Sequence, residues 1–334
     1  MAKRSLAVQL DNVVEAMLVS LRPRPEEKPH RELTALTKIA RELRLLPREE
    51  FRAGLKAELQ GRATMSEAST AATRAAEGTT PYYMRPGITS ITPYIVIQRA
   101  AEFIDFMKAA FGAEERLRVP KPDGTLMHAE VGIGNGAIET ADANDQFHAA
   151  PAEIHHYVDD CDATYARALQ AGATSLHAPV DQPYGDREAG VRDAFGNVWY
   201  IATPKSWAPG PEGLRSIQPF LHLREADKMV PFVEATFGAE VMGMAKSPEG
   251  RMLHATIRIG NATFEIAEAH GEYQPMPCHV HVYVPDTDAA YKRALSAGAT
   301  SIEVPQDKPY GDRSAGVKDA FGNSWFIATH LGTK

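Results

Sequence analysis

The stretch Pro183-Tyr-Gly-Asp-Arg187 recurs as Pro309-Tyr-Gly-Asp-Arg313, and Asp193-Ala-Phe-Gly-Asn197 recurs as Asp319-Ala-Phe-Gly-Asn323. Both pairs are separated by 126 positions (309 − 183 and 319 − 193). The same offset aligns the chain from positions 93 and 219 to positions 203 and 329 without an insertion or deletion. A period of this length is domain-sized, since solenoid repeats span only about 20–50 residues. The sequence therefore predicts two tandem copies of one module.

Within each copy, the hydrophobic pattern predicts two β-α-β-β-β halves. In the first copy, Ile91–Ile97 is rich in β-branched and aromatic residues and predicts a strand. Ala100–Phe111 has apolar residues at helical spacing and is followed by a glycine, a typical helix end. The second half repeats this order, with a strand at Ile154–Val158 and a helix at Asp160–Ala171, for which Asp162 is a candidate N-cap. The predicted fold class is α+β, with two tandem modules of paired β-α-β-β-β units whose curled mixed sheets surround a cavity.

The rest of the chain predicts an N-terminal helical segment and two linkers. Leu6–Leu21 and Arg31–Leu46 carry apolar residues at helical spacing. A stretch rich in Ala, Thr, Ser and Glu follows and predicts a flexible tether. The predicted boundaries are 1–62 for the helical segment, 63–85 for the first linker, 86–204 for the first module, 205–214 for the second linker and 215–334 for the second module.

Composition and charge argue against several classes of protein. The 334 residues carry a formal net charge of −7, which disfavours non-specific binding to nucleic acid. No stretch of about 18 residues is free of charge, so no membrane-spanning helix is predicted, and the N-terminus lacks the uninterrupted apolar stretch of a signal peptide. Cys161 and Cys278 have no metal-ligand spacing. We therefore expect a cytoplasmic protein.

Three motifs occur in both copies: His-Ala at 128–129 and 254–255, Tyr-Gly-Asp-Arg at 184–187 and 310–313, and Asp-Ala-Phe-Gly-Asn-x-Trp at 193–199 and 319–325. With the order of elements, they resemble the vicinal-oxygen-chelate superfamily (glyoxalase, bleomycin resistance and dioxygenase proteins), and in particular its PhnB-like branch in bacteria. The resemblance covers about residues 88–203 and 217–329. It implies the fold more than the activity, because the superfamily includes lyases, epimerases, ring-cleaving dioxygenases, thiol transferases and drug-sequestering proteins.

Catalytic members of this superfamily hold a divalent metal with His, Glu or Gln side chains from four strands, and the metal polarises vicinal oxygens of the substrate. The resemblance implies ligand positions at Thr92, Glu139, Glu153 and Tyr200 in the first module and at Gln218, Glu265, His279 and Phe326 in the second. A tyrosine or a phenylalanine stands at the fourth position, so the predicted metal site is incomplete. The candidate ligands for Zn, Ni, Mn or Fe are Gln218, Glu265 and His279, with Glu139 as a further candidate. Pairing of the modules would instead mix the sets, as Thr92, Glu139, His279 and Phe326, and as Gln218, Glu265, Glu153 and Tyr200.

Several other residues shared by the copies are candidates for the site. His128 and His254 lie mid-strand and are candidate catalytic residues, since an imidazole titrates near neutral pH. The alternative is a buried histidine bonded to a neighbouring strand. The candidate ligand-binding residues are His128, His155, Tyr184, Arg187 and Trp199 in the first copy and His254, His281, Tyr310, Arg313 and Trp325 in the second.

Two of these residue types have a structural alternative. Arg187 and its counterpart either bind a carboxylate or phosphate oxygen of the ligand or pair with Asp193 and its counterpart to fix the loop. Trp199 alternates with Tyr200, and the second copy has the same pattern, so one residue of each pair should line the cavity while the other packs under a helix.

Three functional hypotheses follow from these features. The first is a protein that binds a small molecule in a β-sheet cavity. The second is a metal-dependent lyase, isomerase or dioxygenase, which needs the incomplete metal site. The third is a ligand-sensing regulatory protein that acts through its N-terminal helices, by contact with a protein partner or by self-association.

Overall fold

The computed structural model describes residues 83–85, 87–205 and 215–332. The predicted N-terminal helical segment lies outside these residues, as do most of the two predicted linkers. Within the described ranges, no helix is long and apolar enough to cross a membrane. The helices there are α1 Ala100–Phe111, α2 Cys161–Gln170, α3 Met229–Phe237 and α4 Thr287–Ser296, with a 3-10 turn at Ala226–Lys228.

The strands form two mixed sheets of eight strands each. The first, here called the terminal sheet, contains β1 Ile91–Ile97, β2 Glu114–Pro120, β3 Leu126–Ile133, β4 Gly136–Asp142, β13 His279–Tyr283, β14 Thr300–Asp307, β15 Asp312–Lys318 and β16 Ser324–His330. The second, here called the central sheet, contains β5 Glu153–Tyr157, β6 Thr174–Asp181, β7 Asp186–Arg192, β8 Val198–Pro204, β9 Ile217–Leu223, β10 Glu240–Lys246, β11 Met252–Ile259 and β12 Ala262–Glu268.

Each sheet combines one half of each module. The strand order is β14-β15-β16-β13-β1-β4-β3-β2 in the terminal sheet and β10-β11-β12-β9-β5-β8-β7-β6 in the central sheet. The halves join through antiparallel pairs of β1 with β13, where Ile91 faces Val282, and of β5 with β9, where Ile154 faces Pro219. The two modules therefore pair pseudo-symmetrically.

Alternation along the strands separates an apolar face, which packs on the helices, from a polar face. On β1, Ile91, Ile95 and Ile97 belong to the core, while Thr92 and Tyr94 lie on the opposite side. Burial stabilises each large apolar side chain by about 1.5–3 kcal/mol, so the strands cannot turn over without a large loss of stability. The same alternation on the other inner strands brings their polar residues together on the face away from the helices.

Trp199 and its counterpart Trp325 lie in the core and not on the polar face. Both are fully buried, and the Trp199 ring centroid lies 4.4 Å from that of Phe111 on α1. Tyr200 and Phe326 occupy the polar face instead. The prediction that the tryptophans bind ligand was wrong, because alternation establishes that neighbouring residues face opposite sides but not which of them meets the helices.

The repeated Asp-Ala-Phe-Gly-Asn stretch is a turn held by its aspartate. Asp193 Oδ1 accepts the backbone N–H groups of Phe195 and Asn197, each at 2.9 Å. Its Oδ2 accepts the Asn197 amide at 2.8 Å and the Trp199 indole N–H at 2.9 Å. Gly196 has a φ of 95°, which favours glycine. The motif therefore orients the buried tryptophan.

Replacing Asp193 with alanine should lower the free energy of unfolding by about 2 kcal/mol, because the buried Trp199 and Asn197 donors lose their acceptor. Urea unfolding followed by tryptophan fluorescence measures this loss. Asp123→Ala, in an exposed turn where the carboxylate accepts the Thr125 N–H, is the control and should leave the midpoint almost unchanged. Equal midpoints for the two variants would contradict a structural role for the motif.

Candidate functional site

Each sheet carries a cluster of carboxylate, imidazole and phenol groups on its polar face. The terminal-sheet site consists of Arg85, His128, Glu130, Glu139, His281, Tyr283 and Asp312. The central-sheet site consists of His155, Tyr157, Asp186, Glu188, His254 and Glu265. The offset of 126 relates the two glutamates Glu139 and Glu265. The two sites are therefore versions of one arrangement, and each draws residues from both modules.

Glu139 is the buried centre of the terminal-sheet site, with 1% of its surface exposed. Its Oε2 lies 2.5 Å from His281 Nδ1, and its Oε1 accepts a hydrogen bond of 3.1 Å from Arg85 Nη2. Burial opposes the charge of this carboxylate, but His281, His128 and Arg85 outweigh burial and lower its pKa to about 2. Glu139 is therefore ionised and neutralised within the protein.

Arg85 joins most of the groups of the terminal-sheet site. Its guanidinium pairs with Glu130 and Glu139, its Nε donates to Tyr283 Oη at 2.6 Å, and Asp312 Oδ2 lies 3.6 Å away. Burial works against the charged form, but the surrounding Tyr283, Glu139 and Glu130 raise the pKa of Arg85. Sequence reasoning missed this residue, because it precedes the repeated region and position 211, its counterpart, is a proline.

His128, predicted as a catalytic candidate, lies at the edge of the same site. Its Nε2 is 3.3 Å from Glu130 Oε1, and its ring centroid is 6.0 Å from that of Tyr94. Tyr283, which sequence reasoning also missed, donates from Oη to Asp312 Oδ2 at 2.6 Å. His281, a predicted ligand-binding residue, contacts Glu139 through Nδ1 and forms a buried imidazole–carboxylate pair within the protein.

Glu265 is the buried centre of the central-sheet site, again with 1% of its surface exposed. Its Oε2 lies 2.6 Å from His155 Nδ1 and 3.4 Å from His254 Nε2, and Tyr157 Oη donates to its Oε1 at 3.2 Å. Burial opposes the charge, but His155 and His254 hold the pKa of Glu265 well below its ordinary value. The structure thus brings together His155 and His254, which the sequence analysis names as candidates in different copies.

The two imidazoles on Glu265 differ in exposure. His155 is buried, and although burial lowers its pKa, Glu265, Glu188 and Asp186 together raise it to about 8. Its Nε2 lies 3.7 Å from Glu188 Oε2 and makes no hydrogen bond to the described part of the chain. The side chain of His254 is 41% exposed. His254 is therefore the imidazole that a ligand or water can reach.

Aromatic rings flank the central-sheet site. The Phe220 ring centroid lies 5.9 Å from that of His254, 5.4 Å from Tyr200 and 4.5 Å from His222. His222 Nδ1 lies 2.6 Å from Glu153 Oε2. His222 also lines a groove of about 730 Å³ that is bounded by α3 and by the loop before β13. This wall offers flat surfaces beside the carboxylate.

The tyrosines and arginines of the Tyr-Gly-Asp-Arg motifs have different positions. Tyr184 is 60% exposed and donates from Oη to Glu188 at 3.0 Å, so it lies at the rim of the central-sheet site. Tyr310 is 59% exposed at the equivalent rim of the terminal sheet. Burial, Asp312 and Glu139 raise the pKa of Tyr310 to about 12.

Arg187 and Arg313 lie outside both sites. Arg187 pairs with Asp162 at the start of α2 and with Asp181 on β6, at 3.0 Å from the latter. Arg313 makes the same contacts with Asp288 and with Asp307, at 2.9 Å from the latter. The predicted pairing of these arginines with the turn aspartates was wrong, because the side chains contact β6 or β14 and a helix start instead. Their role in ligand binding stays a prediction.

The N-cap of α2 also differs from the prediction. Asp160, and not Asp162, accepts the Ala163 N–H, at 2.9 Å. Asp160 has the extended backbone required of an N-cap, whereas Asp162 lies in the first turn of the helix. Asp162 is thereby available for Arg187, which fixes β7 to α2.

The residues at the family's metal-ligand positions do not assemble a metal site. Gln218 and Glu265 lie on the central sheet, whereas His279 and Glu139 lie on the terminal sheet, so the candidate set from the sequence is divided. The mixed sets are the ones that share a sheet, and these contain Phe326 or Tyr200. On the central sheet, Gln218 accepts a hydrogen bond from Thr263 and Glu153 pairs with His222.

A different group of donors lies closer together. The donor atoms of His128, Glu130 and Glu139 lie within 4.8 Å of one another. The Arg85 guanidinium contacts both of these carboxylates, so a cation already neutralises them. As arranged, these residues do not fit a divalent metal.

Comparison with known proteins gives the family and the fold. The model of the glyoxalase/bleomycin resistance protein/dioxygenase superfamily matches residues 87–201 and 220–327. An uncharacterized protein of Mycobacterium bovis is 39% identical over 126 residues, which is 34% of this chain and 83% of that protein. An uncharacterized protein of Mycobacterium tuberculosis is also 39% identical over 126 residues, 34% of this chain and 74% of that protein.

Two solved structures resemble the whole two-module region. Glyoxalase I from Zea mays has a TM-score of 0.57 at 14% identity, covering 72% of this chain and 92% of that chain. A putative dioxygenase from Bacillus subtilis has a TM-score of 0.50 at 14% identity, covering 72% of this chain and 84% of that chain. At this identity the likeness shows the fold alone. The family model matches more than half of the residues, and the chain therefore belongs to the glyoxalase/bleomycin resistance protein/dioxygenase superfamily.

Proposed function

We propose that this protein, a member of the PhnB-like branch, binds a small molecule at the central-sheet site without a protein-bound metal. The observation that carries the proposal is the buried Glu265, which is held by His155 and Tyr157 and lies beside the exposed His254. Ligand sites typically combine an apolar or aromatic wall with a few preorganised polar groups. The central-sheet site has both, whereas Arg85 already occupies the carboxylates of the terminal-sheet site.

The side chains of the central-sheet site contribute different contacts to the ligand. Phe220, which is half-buried, offers a ring face to a planar part of the ligand, and the buried Tyr200 packs against it. His254 offers a donor or an acceptor to a polar group of the ligand, since it is exposed and next to a carboxylate. Glu265 and its partners fix the position of His254, so that the ligand meets a preformed site.

A second candidate function is metal-free proton transfer by an isomerase or lyase. His254 Nε2 lies 3.4 Å from the ionised Glu265, and an imidazole beside a carboxylate can act as a general acid or base. A bound ligand whose C–H protons exchange with deuterium from solvent, with wild-type protein but not with His254→Gln, would identify this activity.

The proposed function is tested by saturation-transfer NMR on the full chain with a set of neutral aromatic fragments. We expect fragments to bind and Phe220→Ala to weaken their binding about tenfold, because the ring faces the site. Tyr94→Ala, the equivalent change on the terminal sheet, is the matched control and should leave binding unchanged. Dialysis against EDTA should also leave binding unchanged.

Three outcomes would contradict the proposal. Absence of any bound fragment would remove the binding function. Loss of binding in Tyr94→Ala alone would move the site to the terminal sheet. Loss of binding after EDTA treatment, restored by Zn or Ni, would favour the metal-dependent alternative.

A further inference from the structure

We infer that the central-sheet site recognises a carboxamide or lactam group, which presents a C=O acceptor and an N–H donor on one edge. The inference rests on the proposed function of that site and goes further, because it names the polar group of the ligand. It comes from a comparison of the two copies within one chain. The central-sheet site carries polar ring atoms at positions where the terminal-sheet site has only hydrocarbon.

Three positions on or over the polar faces differ in this way. The offset of 126 relates Val96 to His222, Phe326 to Tyr200 and Phe147 to Tyr273. In each pair, the residue beside the central sheet carries nitrogen or oxygen atoms that its counterpart lacks. The exchanges therefore add one imidazole and two phenol groups to the central-sheet site alone.

The three exchanged residues, here called the polar ring cluster, lie together although they are distant in the chain. The His222 ring centroid lies 5.1 Å from that of Tyr273 and 6.2 Å from that of Tyr200. The two phenol rings are 6.4 Å apart. The Phe220 ring centroid is 4.5 Å from that of His222, so the cluster adjoins the ring face that we propose for the planar part of the ligand.

Glu153 fixes the tautomer of the imidazole in this cluster. His222 Nδ1 lies 2.6 Å from Glu153 Oε2, and each of these side chains is only 4% exposed. Because a carboxylate accepts hydrogen bonds, Nδ1 carries the imidazole proton and Nε2 keeps its lone pair. The equivalent positions of the terminal sheet hold His279 and Val96, which cannot form such a pair. A fixed imidazole acceptor therefore occurs at this position in the central-sheet site alone.

The polar atoms at the tips of the cluster are available to a ligand. Within the described part of the chain, Tyr200 Oη, Tyr273 Oη and His222 Nε2 make no hydrogen bond, and none of the three atoms is fully enclosed. The cluster thus offers two O–H donors and one nitrogen acceptor. His222 also lines the groove of about 730 Å³, a volume typical of small-molecule sites, so the acceptor lies beside a space that can hold a ligand.

A carboxamide matches this set of atoms. Its oxygen has two lone pairs for the phenol O–H groups, and its N–H group can donate to His222 Nε2. A ketone has the oxygen but leaves Nε2 without a donor, whereas a carboxylate places a second oxygen against the Nε2 lone pair. A buried polar group without a partner costs about 1–3 kcal/mol, so the cluster should discriminate against both.

Benzamide, acetophenone and benzoate test the inference, because they share a phenyl ring and a carbonyl group and differ in an amino, a methyl or an anionic oxygen substituent. Their binding to the full chain is measured by saturation-transfer NMR titration at pH 8. We expect benzamide to bind at least about tenfold more tightly than the other two. Glu240→Gln, an exposed change on the same sheet, is the control and should have no effect.

Two variants reproduce residues of the terminal sheet. Tyr273→Phe changes a half-buried residue to match Phe147 and removes one donor, so benzamide binding should weaken about fivefold. His222→Val matches Val96 and removes the acceptor, so benzamide should then bind no more tightly than acetophenone. An unchanged affinity of Tyr273→Phe for benzamide, or an unchanged preference in His222→Val, would overturn the inference.

Nitrogen-15 NMR of the imidazoles in the wild type gives a readout that does not depend on affinity. We expect the His222 Nε2 resonance to be that of an unprotonated nitrogen and to move upfield when benzamide, but not acetophenone, is added. A protonated Nε2 at pH 8 would contradict its assignment as the acceptor and overturn the inference.

The remaining outcomes separate this inference from the proposed function. If acetophenone binds as tightly as benzamide and both depend on Phe220, the site binds planar molecules without recognising an amide, and the inference is overturned alone. Tightest binding of benzoate would also overturn it alone, since the cluster would then accept an anion. The same holds if none of the three binds while other neutral aromatic fragments do. If no fragment of any kind binds, the proposed function fails with it.

Discussion

Arg85→Ala should lower the free energy of unfolding by about 3 kcal/mol at pH 7, the largest effect of a single substitution that we expect outside the hydrophobic core. The variant leaves Glu130 and Glu139 without their cation, and both carboxylates are buried. Breaking a buried ion pair by removing one partner is costly, since the remaining charge is neither hydrated nor neutralised. The Arg85 side chain is 16% exposed, so water can enter and the loss stays below the upper range for such pairs.

The pH dependence gives this prediction a specific signature. In the wild type, the pKa of Glu139 is lowered from 4.5 to about 2, so its contribution to stability is present above pH 4.5 and is lost as the pH falls towards 2. Without Arg85 the pKa of Glu139 should rise, and the variant and the wild type should converge in stability at low pH.

Urea unfolding of both proteins between pH 3 and pH 7 measures this convergence. Arg99→Ala is the matched control, because Arg99 pairs with Glu102 while 59% of each side chain is exposed. It should change the free energy of unfolding by less than about 0.5 kcal/mol. If Arg85→Ala unfolded at the same urea concentration as Arg99→Ala, the guanidinium would not be an integral part of the terminal-sheet site.

Glu265→Gln should have the second-largest effect of the substitutions that we propose. This effect should be seen most clearly in the pKa of His155. Glu265 is the main partner that raises the pKa of His155 from 6.5 to about 8 against the effect of burial. With glutamine in its place, burial should dominate, and we expect the pKa of His155 to fall below 6.5. The loss of the buried pair should also lower the free energy of unfolding by about 3 kcal/mol.

The sign of the pH effect follows from the two shifts. Because its pKa is raised, His155 contributes stability that is fully present below pH 6.5 and is lost as the pH rises through about 8. Glu265, whose pKa is lowered, contributes stability that is present above pH 4.5 and is lost as the pH falls. The pair therefore stabilises the wild type most between pH 4.5 and 6.5, and about 2 kcal/mol should be lost by pH 9.

Proton NMR titration of the imidazole Hε1 resonances, assigned with a His155→Gln variant, measures the pKa of His155. Urea unfolding at pH 6 and pH 9 measures the stability, and the difference between these two pH values should be small in Glu265→Gln. Glu240→Gln should behave as the wild type. A His155 pKa that stays near 8 in Glu265→Gln would show that Glu188 and Asp186 hold the charge instead.

The elements of the fold were predictable because they depend on local pattern and on the repeat. The strand Ile91–Ile97 and the helix Ala100–Phe111 have the predicted bounds, since their apolar residues follow periods of two and of about 3.6. The predicted helix Asp160–Ala171 is shorter by one residue at each end, where capping residues stand. The constant offset of 126 transfers these elements to the second copy, except that the counterpart of Ala100–Phe111 begins with a 3-10 turn at Ala226–Lys228 and is α-helical only over Met229–Phe237.

The site was less predictable because its contacts join distant parts of the chain. His281 and Glu139 are 142 positions apart, and only the exchange of halves between modules brings them together. His279 and His281 both alternate onto the polar face, so the pattern could not tell which of them meets Glu139. Arg85 lies outside the repeat, and without an internal counterpart it had no signal in the sequence.

The exchange of halves also sets an order in which the protein can assemble as it is synthesised. Strands β5–β12 follow one another between residues 153 and 268, so the central sheet can pair completely while the C-terminal strands are still missing. The terminal sheet needs both ends of the repeat region, since Ile91 pairs with Val282, 191 positions later (282 − 91). Pairing over such a separation is slow, and nascent chains fold from the N-terminal side. Until β13 emerges, β1 presents an open edge, which is the state in which a second nascent chain can pair with it in place of its own C-terminal strands.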